Sequence, residues 1–183
     1  MNTLEILLII GIISIVSYLI YMIIKGIMSE SKTQIYFNDE YTEELIESLN
    51  KDEIFVYGSN RQGILGGGSA FYAKTYFGAE DGIPKGITGQ CYGIVTKDYD
   101  VNIESGNMKS VPLEEIRQQI VDLYFYAKQH SNLKFLVTKI GSERAGYDLK
   151  EIATCFTSIP GIVPHNIILP YEFVLDKDEN NEI

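Results

Sequence analysis

Hydrophobic positions set three different rhythms along the chain. From Ile6 to Ile24, 19 consecutive residues carry no charge, and 13 of them are Ile, Leu or Val. As an α-helix that run is roughly 28 Å long, close to the hydrocarbon thickness of a bilayer. Its aliphatic residues favour insertion by about 4–8 kcal/mol, enough to carry one Gly, two Ser and two Tyr. A cleaved signal peptide fits poorly: Glu5 is the only charge ahead of the run, and no small-x-small site follows Ile24. The pattern predicts a transmembrane helix over residues 4–25 and a polar tether over 26–33. Lys25 and Lys32 flank its C-terminal side, which points to a single-pass cell-membrane protein with the remainder in the cytoplasm. Gly11, Ser14, Tyr18 and Tyr21 fall within an arc of about 80° on that helix. Small and hydroxyl-bearing residues on one stripe favour association with a second copy in lipid.

Residues 34–175 switch to the rhythm of a folded domain. Asn38 to Lys51, with Leu45, Ile46 and Leu49 among Asp39, Glu40, Glu43, Glu44 and Glu47, is spaced for an acidic surface helix. Short apolar runs predict strands at Ile54–Tyr57, Cys91–Thr96, Phe135–Ile140 and Ile167–Leu169. Helical patterns lie between them. Ser69–Phe77 is the first, and the second is an amphipathic run capped by Ser110, with Pro112 in its first turn and Ile116, Ile120, Leu123 and Ala127 on one face. A third opens on Asp148 and Glu151 in capping-box spacing. Tyr99–Lys109 reads as a loop, and residues 176–183 as an acidic tail. Strands alternating with helices predict a three-layer α/β domain with a largely parallel sheet.

Charge narrows the function. The 183 residues hold 25 Asp and Glu against 15 Lys and Arg, a formal net charge of -10. That balance argues against a nucleic-acid partner, which would require a basic footprint. Two cysteines, Cys91 and Cys155, and two histidines, His130 and His165, do not make a zinc site. No metal and no cofactor is expected. His130 closes a helix, where the dipole accounts for it, and both cysteines read as core residues.

Two glycine-bearing loops remain, each directly after a predicted strand and before a helix. That is the carboxyl edge of an α/β sheet, where ligands bind. Closely spaced glycines and a helix N-terminus can hold an anion through backbone amides even in an acidic protein. Gly63 to Gly68 has P-loop spacing, yet Ser69-Ala70 replaces the required Lys-Ser/Thr pair, and neither loop is a GxGxxG. Lys97 and Asp98 end a strand at the same edge and read as a surface pair. Glu143 and Arg144 lie inside the second loop, where Arg144 could pair with a phosphate or carboxylate or could be a solvated charge.

The segment Asn60-Arg61-Gln62-Gly63-Ile64-Leu65-Gly66-Gly67-Gly68-Ser69-Ala70 resembles the first ligand loop of macro domains. Gly141-Ser142-Glu143-Arg144-Ala145-Gly146-Tyr147 resembles their second. The stretch from Ile54 to Pro170, including Gly89-Gln90-Cys91-Tyr92-Gly93-Ile94-Val95-Thr96-Lys97, is similar to a macro-like family of phage and bacterial proteins. The resemblance implies a macro-domain-like sheet that binds ADP-ribose or another NAD-derived nucleotide. By position, Gly66, Gly67, Gly68 and Ser69 would meet the distal ribose and diphosphate, and Asn60 the distal ribose. Gly141 to Gly146 would cover the diphosphate and Tyr147 pack on the ribose, with Ser59, Ala70 and Thr96 completing the set. Ala70 stands where hydrolytic members often carry Asp, and the family's adenine-binding Asp has no counterpart here.

A membrane segment ahead of a macro-like domain resembles effectors of the Thoeris class of antiphage systems. In those, a TIR-domain enzyme makes the nucleotide signal. The resemblance implies a ligand-binding, self-associating effector that disrupts the membrane; the alternative is a hydrolase in which Asn60 positions a water.

Overall fold

The computed structural model describes residues 15–20, 40–99, 108–142, 145–159 and 163–174. The chain divides into two compact units, Met1–Gln34 and Ile35–Ile183. In the first, residues 15–20 are helical and Tyr18 is exposed. Among the described residues no helix is long and apolar enough to cross a membrane. Most of the 4–25 span lies outside the described residues, as do Gly11, Ser14 and Tyr21.

The second unit is a mixed α/β domain. Its strands are β1 (Glu53–Asn60), β2 (Gly86–Thr88), β3 (Cys91–Tyr99), β4 (Met108–Ser110), β5 (Lys134–Val137) and β6 (Ile167–Ile168). Its helices are α1 (Gly68–Phe77), α2 (Leu113–Gln129) and α3 (Leu149–Thr157), followed by a 3-10 turn at Tyr171–Phe173. Among the described residues the six strands run in the order β2-β3-β1-β5-β6, with β4 also pairing β3. β1 is parallel to both β3 and β5, and β5 to β6; only the short β2 and β4 are antiparallel.

A central parallel strand is buried on both faces and therefore reads as a continuous apolar run. β1 shows how that run is divided. Ile54 and Val56 join a core with Tyr92, Ile94, Phe135 and Val137 of the sheet and with Ile116, Ile120 and Leu123 of α2 and Ile152 and Phe156 of α3. Phe55 and Tyr57 point the other way, into a core with Cys91 and with Ala70, Ala73 and Phe77 of α1. Strand alternation thus seats helices on both faces of the sheet.

Three expectations need correction. The 38–51 segment is not a helix where it is described: residues 40–50 cross the domain as an irregular strap. The Thr42 amide donates to the Leu169 carbonyl at 2.9 Å, the Thr42 hydroxyl donates to the Ile168 carbonyl at 2.8 Å, and Ile46 is buried against α1. These partners lie far along the chain and outweigh local helical spacing. Ser110 does not cap α2 either. It belongs to β4, its hydroxyl donates to the Ala145 carbonyl, and the cap position falls to Pro112. The 99–109 stretch is not all loop, because Met108–Ser110 pairs with Lys97–Tyr99. The capping box of α3 is present as read: Asp148 accepts from the Lys150 amide, and Glu151 accepts from the Asp148 amide.

Candidate functional site

β1 lies where the topology reverses. The chain leaves it through α1 toward β3 on one side, then crosses back through α2 to β5 on the other. Ligands bind at such switch points, beyond the carboxyl ends of the strands. Both glycine loops emerge there, and with the strand ends they wall a cleft of about 220 Å³.

The first loop is built before any ligand arrives. The Asn60 amide nitrogen donates to the Ile64 carbonyl at 2.6 Å, and its oxygen accepts from the Ile64 amide at 3.0 Å. The Leu65 amide donates to Asp81, which also pairs with Lys74; those two contacts hold the Asp81 carboxyl below its ordinary range. Gly63 has φ 67°, and a Cβ there would stand 2.8 Å from the Gly82 backbone, so a side chain is excluded. On its outer side the loop is pinned by Arg61, which pairs with Asp98 at 3.1 Å and Glu115 at 2.5 Å.

The loop ends at the start of α1. Gly67 is the N-cap, in extended backbone (φ -173°, ψ 163°), with no side-chain cap bond, and the first turn holds no acidic residue. The contrast with the boxed N-terminus of α3 is direct. The first amides of α1 have no partner within their own helix, and they carry its positive partial charge. Gly66, Gly67, Gly68, Ser69 and Ala70 all line the cleft.

Of the residues singled out from sequence, Ser59, Asn60, Thr96, Gly141 and Ala145 line the same cleft. Ser142, Gly146 and Tyr147 do not. Ser142 donates to the Lys139 carbonyl at 2.9 Å, while the Tyr147 ring packs on the core and its hydroxyl donates to the Val111 carbonyl at 2.5 Å. Glu143 and Arg144 lie outside the described residues.

Lys97 and Asp98 are not a surface pair. The β1–β3 register shifts between Ser59 and Asn60, so that Lys97 rather than Thr96 stands opposite Asn60. Lys97 is buried and lines the cleft, while Asp98 turns to Arg61 and Gln62. Lys139, which the sequence reading passed over, lines it from the opposite side. A signal was available, since Val-Thr-Lys occurs at both 95–97 and 137–139. In each copy the threonine hydroxyl donates to a β1 carbonyl: Thr96 to Ser59 at 3.2 Å, Thr138 to Val56 at 2.9 Å. Each threonine thereby ties its strand end to β1 and delivers a lysine to the edge of the sheet.

A second cavity, of about 330 Å³, adjoins the first and shares Gly68, Ser69 and Lys139 with it. Its walls are the strap residues Thr42 to Ile46 with Phe55, Tyr72, Val137 and Pro170. Together the two reach the size range of small-molecule sites, about 300–1,000 Å³.

The chemistry on offer is amide and ammonium donors. No carboxylate or imidazole lines the glycine-walled cleft among the described residues. Burial pushes the Cys91 thiol up to about 12 and raises that of Cys155, so neither is a thiolate at neutral pH. Among the described residues no cluster of three His, Cys, Asp or Glu is placed to hold a metal ion.

No protein-family model and no curated protein matches the chain. Among solved structures, the chain is similar to a protein of unknown function from Bacteroides thetaiotaomicron. The two are 10% identical, the likeness covers 75% of this chain and 98% of that one, and the TM-score is 0.46. A likeness at that level assigns neither family nor function.

Proposed function

We propose that this chain is a membrane-anchored receptor whose α/β domain binds ADP-ribose or a closely related NAD-derived nucleotide through a macro-like cleft. The observation that carries the reading is the uncapped N-terminus of α1, set at the carboxyl end of the central strand. Around it, two glycine loops and two lysines form an anion-binding wall in a chain of net charge -10. A diphosphate matches that wall, and the adjoining cavity, with Phe55, Tyr72, Val137 and Pro170, suits the flat apolar faces of a nucleoside.

On this reading the 4–25 segment spans the cell membrane, the folded domain lies in the cytoplasm, and copies associate through Gly11, Ser14, Tyr18 and Tyr21. A TIR-domain enzyme would supply the nucleotide in an antiphage response of the Thoeris type, and the assembled segments would disrupt the membrane. The site favours a receptor over the hydrolase alternative. Both ends of the Asn60 amide are engaged by Ile64, and Ala70 is buried in the α1 core. No candidate general base lines the glycine-walled cleft among its described residues.

The test is calorimetric titration of the full-length chain in detergent with ADP-ribose, and with the nucleotide pool of an activated TIR enzyme. Saturable one-site binding of either is expected, with the pool binding more tightly if the cleft is tuned to a derivative. Absence of heat from both would overturn the reading. Multiple-turnover release of ADP-ribose from a modified protein would replace it with the hydrolase.

A further inference from the structure

Resting on the nucleotide reading above, we propose that Lys97 and Lys139 are a paired cationic clamp for the ligand's diphosphate, and that Glu172 and Glu44 restrain Lys139 in the unliganded chain. β3 and β5 flank β1 on opposite sides, and the same Val-Thr-Lys tripeptide lies near the end of β3 (95–97) and runs off the end of β5 (137–139). The two lysines therefore both line the cleft, one from each of the strands that flank β1.

Backbone amides alone bind anions without discriminating strongly between one phosphate and two. Two ammonium groups add point charges at separate positions, which favours a ligand whose negative charge is itself divided. The lysines thus specify a diphosphate rather than a monophosphate or a neutral sugar.

The two cations are not equivalent. Lys97 is buried on β3, opposite Asn60 of β1. Lys139 is half-exposed, pairs with Glu172 at 2.5 Å, and lies 3.8 Å from Glu44 on the strap. The hydrogen bond from Lys139 holds the Glu172 carboxyl below its ordinary range. A diphosphate must compete with these carboxylates for the Lys139 ammonium.

The experiment titrates full-length wild-type chain, Lys97→Met, Lys139→Met, Lys139→Arg and Glu172→Gln with ADP-ribose and with inorganic pyrophosphate. Methionine keeps the apolar stem and removes the charge, and thermal midpoints report folding. Each Met variant is expected to bind ADP-ribose about tenfold more weakly or worse, with a shallower salt dependence. Lys139→Arg should retain most of the affinity, and Glu172→Gln should tighten it about threefold. If wild type and both Met variants bind ADP-ribose alike, the clamp is overturned and the nucleotide reading stands. If Glu172→Gln leaves affinity unchanged, the restraint is overturned. Lysine-dependent binding of pyrophosphate without binding of ADP-ribose keeps the clamp and removes the nucleotide reading. Binding of neither probe removes both.

Discussion

Replacing Gly67 with aspartate should weaken ADP-ribose binding at least about 100-fold while leaving the thermal midpoint unchanged or slightly raised. Gly67 is the N-cap of α1 in extended backbone, a conformation any residue adopts, so the substitution introduces no φ strain. Aspartate is a preferred N-cap, and its carboxylate would accept from the same first-turn amides that the ligand is proposed to use. The helix gains a cap, and the cleft gains a fixed negative charge where the diphosphate should sit. Titration together with a thermal melt checks both halves. Undiminished affinity would place the ligand elsewhere, and a collapsed melt would show that Gly67 serves the fold itself.

Phe135→Ala should destabilise the domain by about 3–5 kcal/mol, the usual loss for a buried aromatic truncated in a packed core. Phe135 is fully buried on β5, with Tyr126 of α2 edge-on at 6.0 Å and Tyr92 of β3 at 6.5 Å. Those rings occupy the seam where α2 packs across the sheet, and backbone on either side is held by β1 and β6, so the space is poorly placed to collapse. Against a total stability of about 5–15 kcal/mol, this is a large share of the margin. Urea unfolding should show a lower midpoint at unchanged slope. A loss under about 1 kcal/mol would contradict the assignment of Phe135 to the centre of this core. Since β5 also delivers Lys139, ligand binding should fail in step with folding rather than separately.

How far the sequence carried these conclusions depended on whether the relevant physics was local. The Asp148–Glu151 box was legible because both of its hydrogen bonds span three residues or fewer. The cores of β1, β3 and β5 were legible because parallel strands buried on both faces leave unbroken apolar runs, and the glycines after them marked the loops. The strap was misread because Leu45, Ile46 and Leu49 fit a helical face, while what fixes them is Thr42 pairing with residues 168 and 169. β2 and β4 are three residues each and carry too little pattern to see. Lys97 was misjudged for a geometric reason: a register shift at Thr96 decides what stands opposite Asn60, and no periodicity in the sequence records it. Lys139 was visible only as the second copy of a tripeptide whose meaning depends on β3 and β5 flanking one strand. The glycine loops were legible, but the turn of Tyr147 away from the cleft was not, because its partner Val111 lies far along the chain.

The most direct test of the account is where a nucleotide touches the chain. Backbone amide chemical shifts of the isotope-labelled full-length protein, followed as ADP-ribose is added, report this residue by residue. The largest saturable changes are expected at Gly66 to Ala70, Lys97, Lys139, Gly141 and Ala145, with smaller ones along the strap at residues 42–46. Saturable changes confined to the amino ends of the strands, around Glu53 and Lys134, would contradict this assignment, as would no saturable change at all.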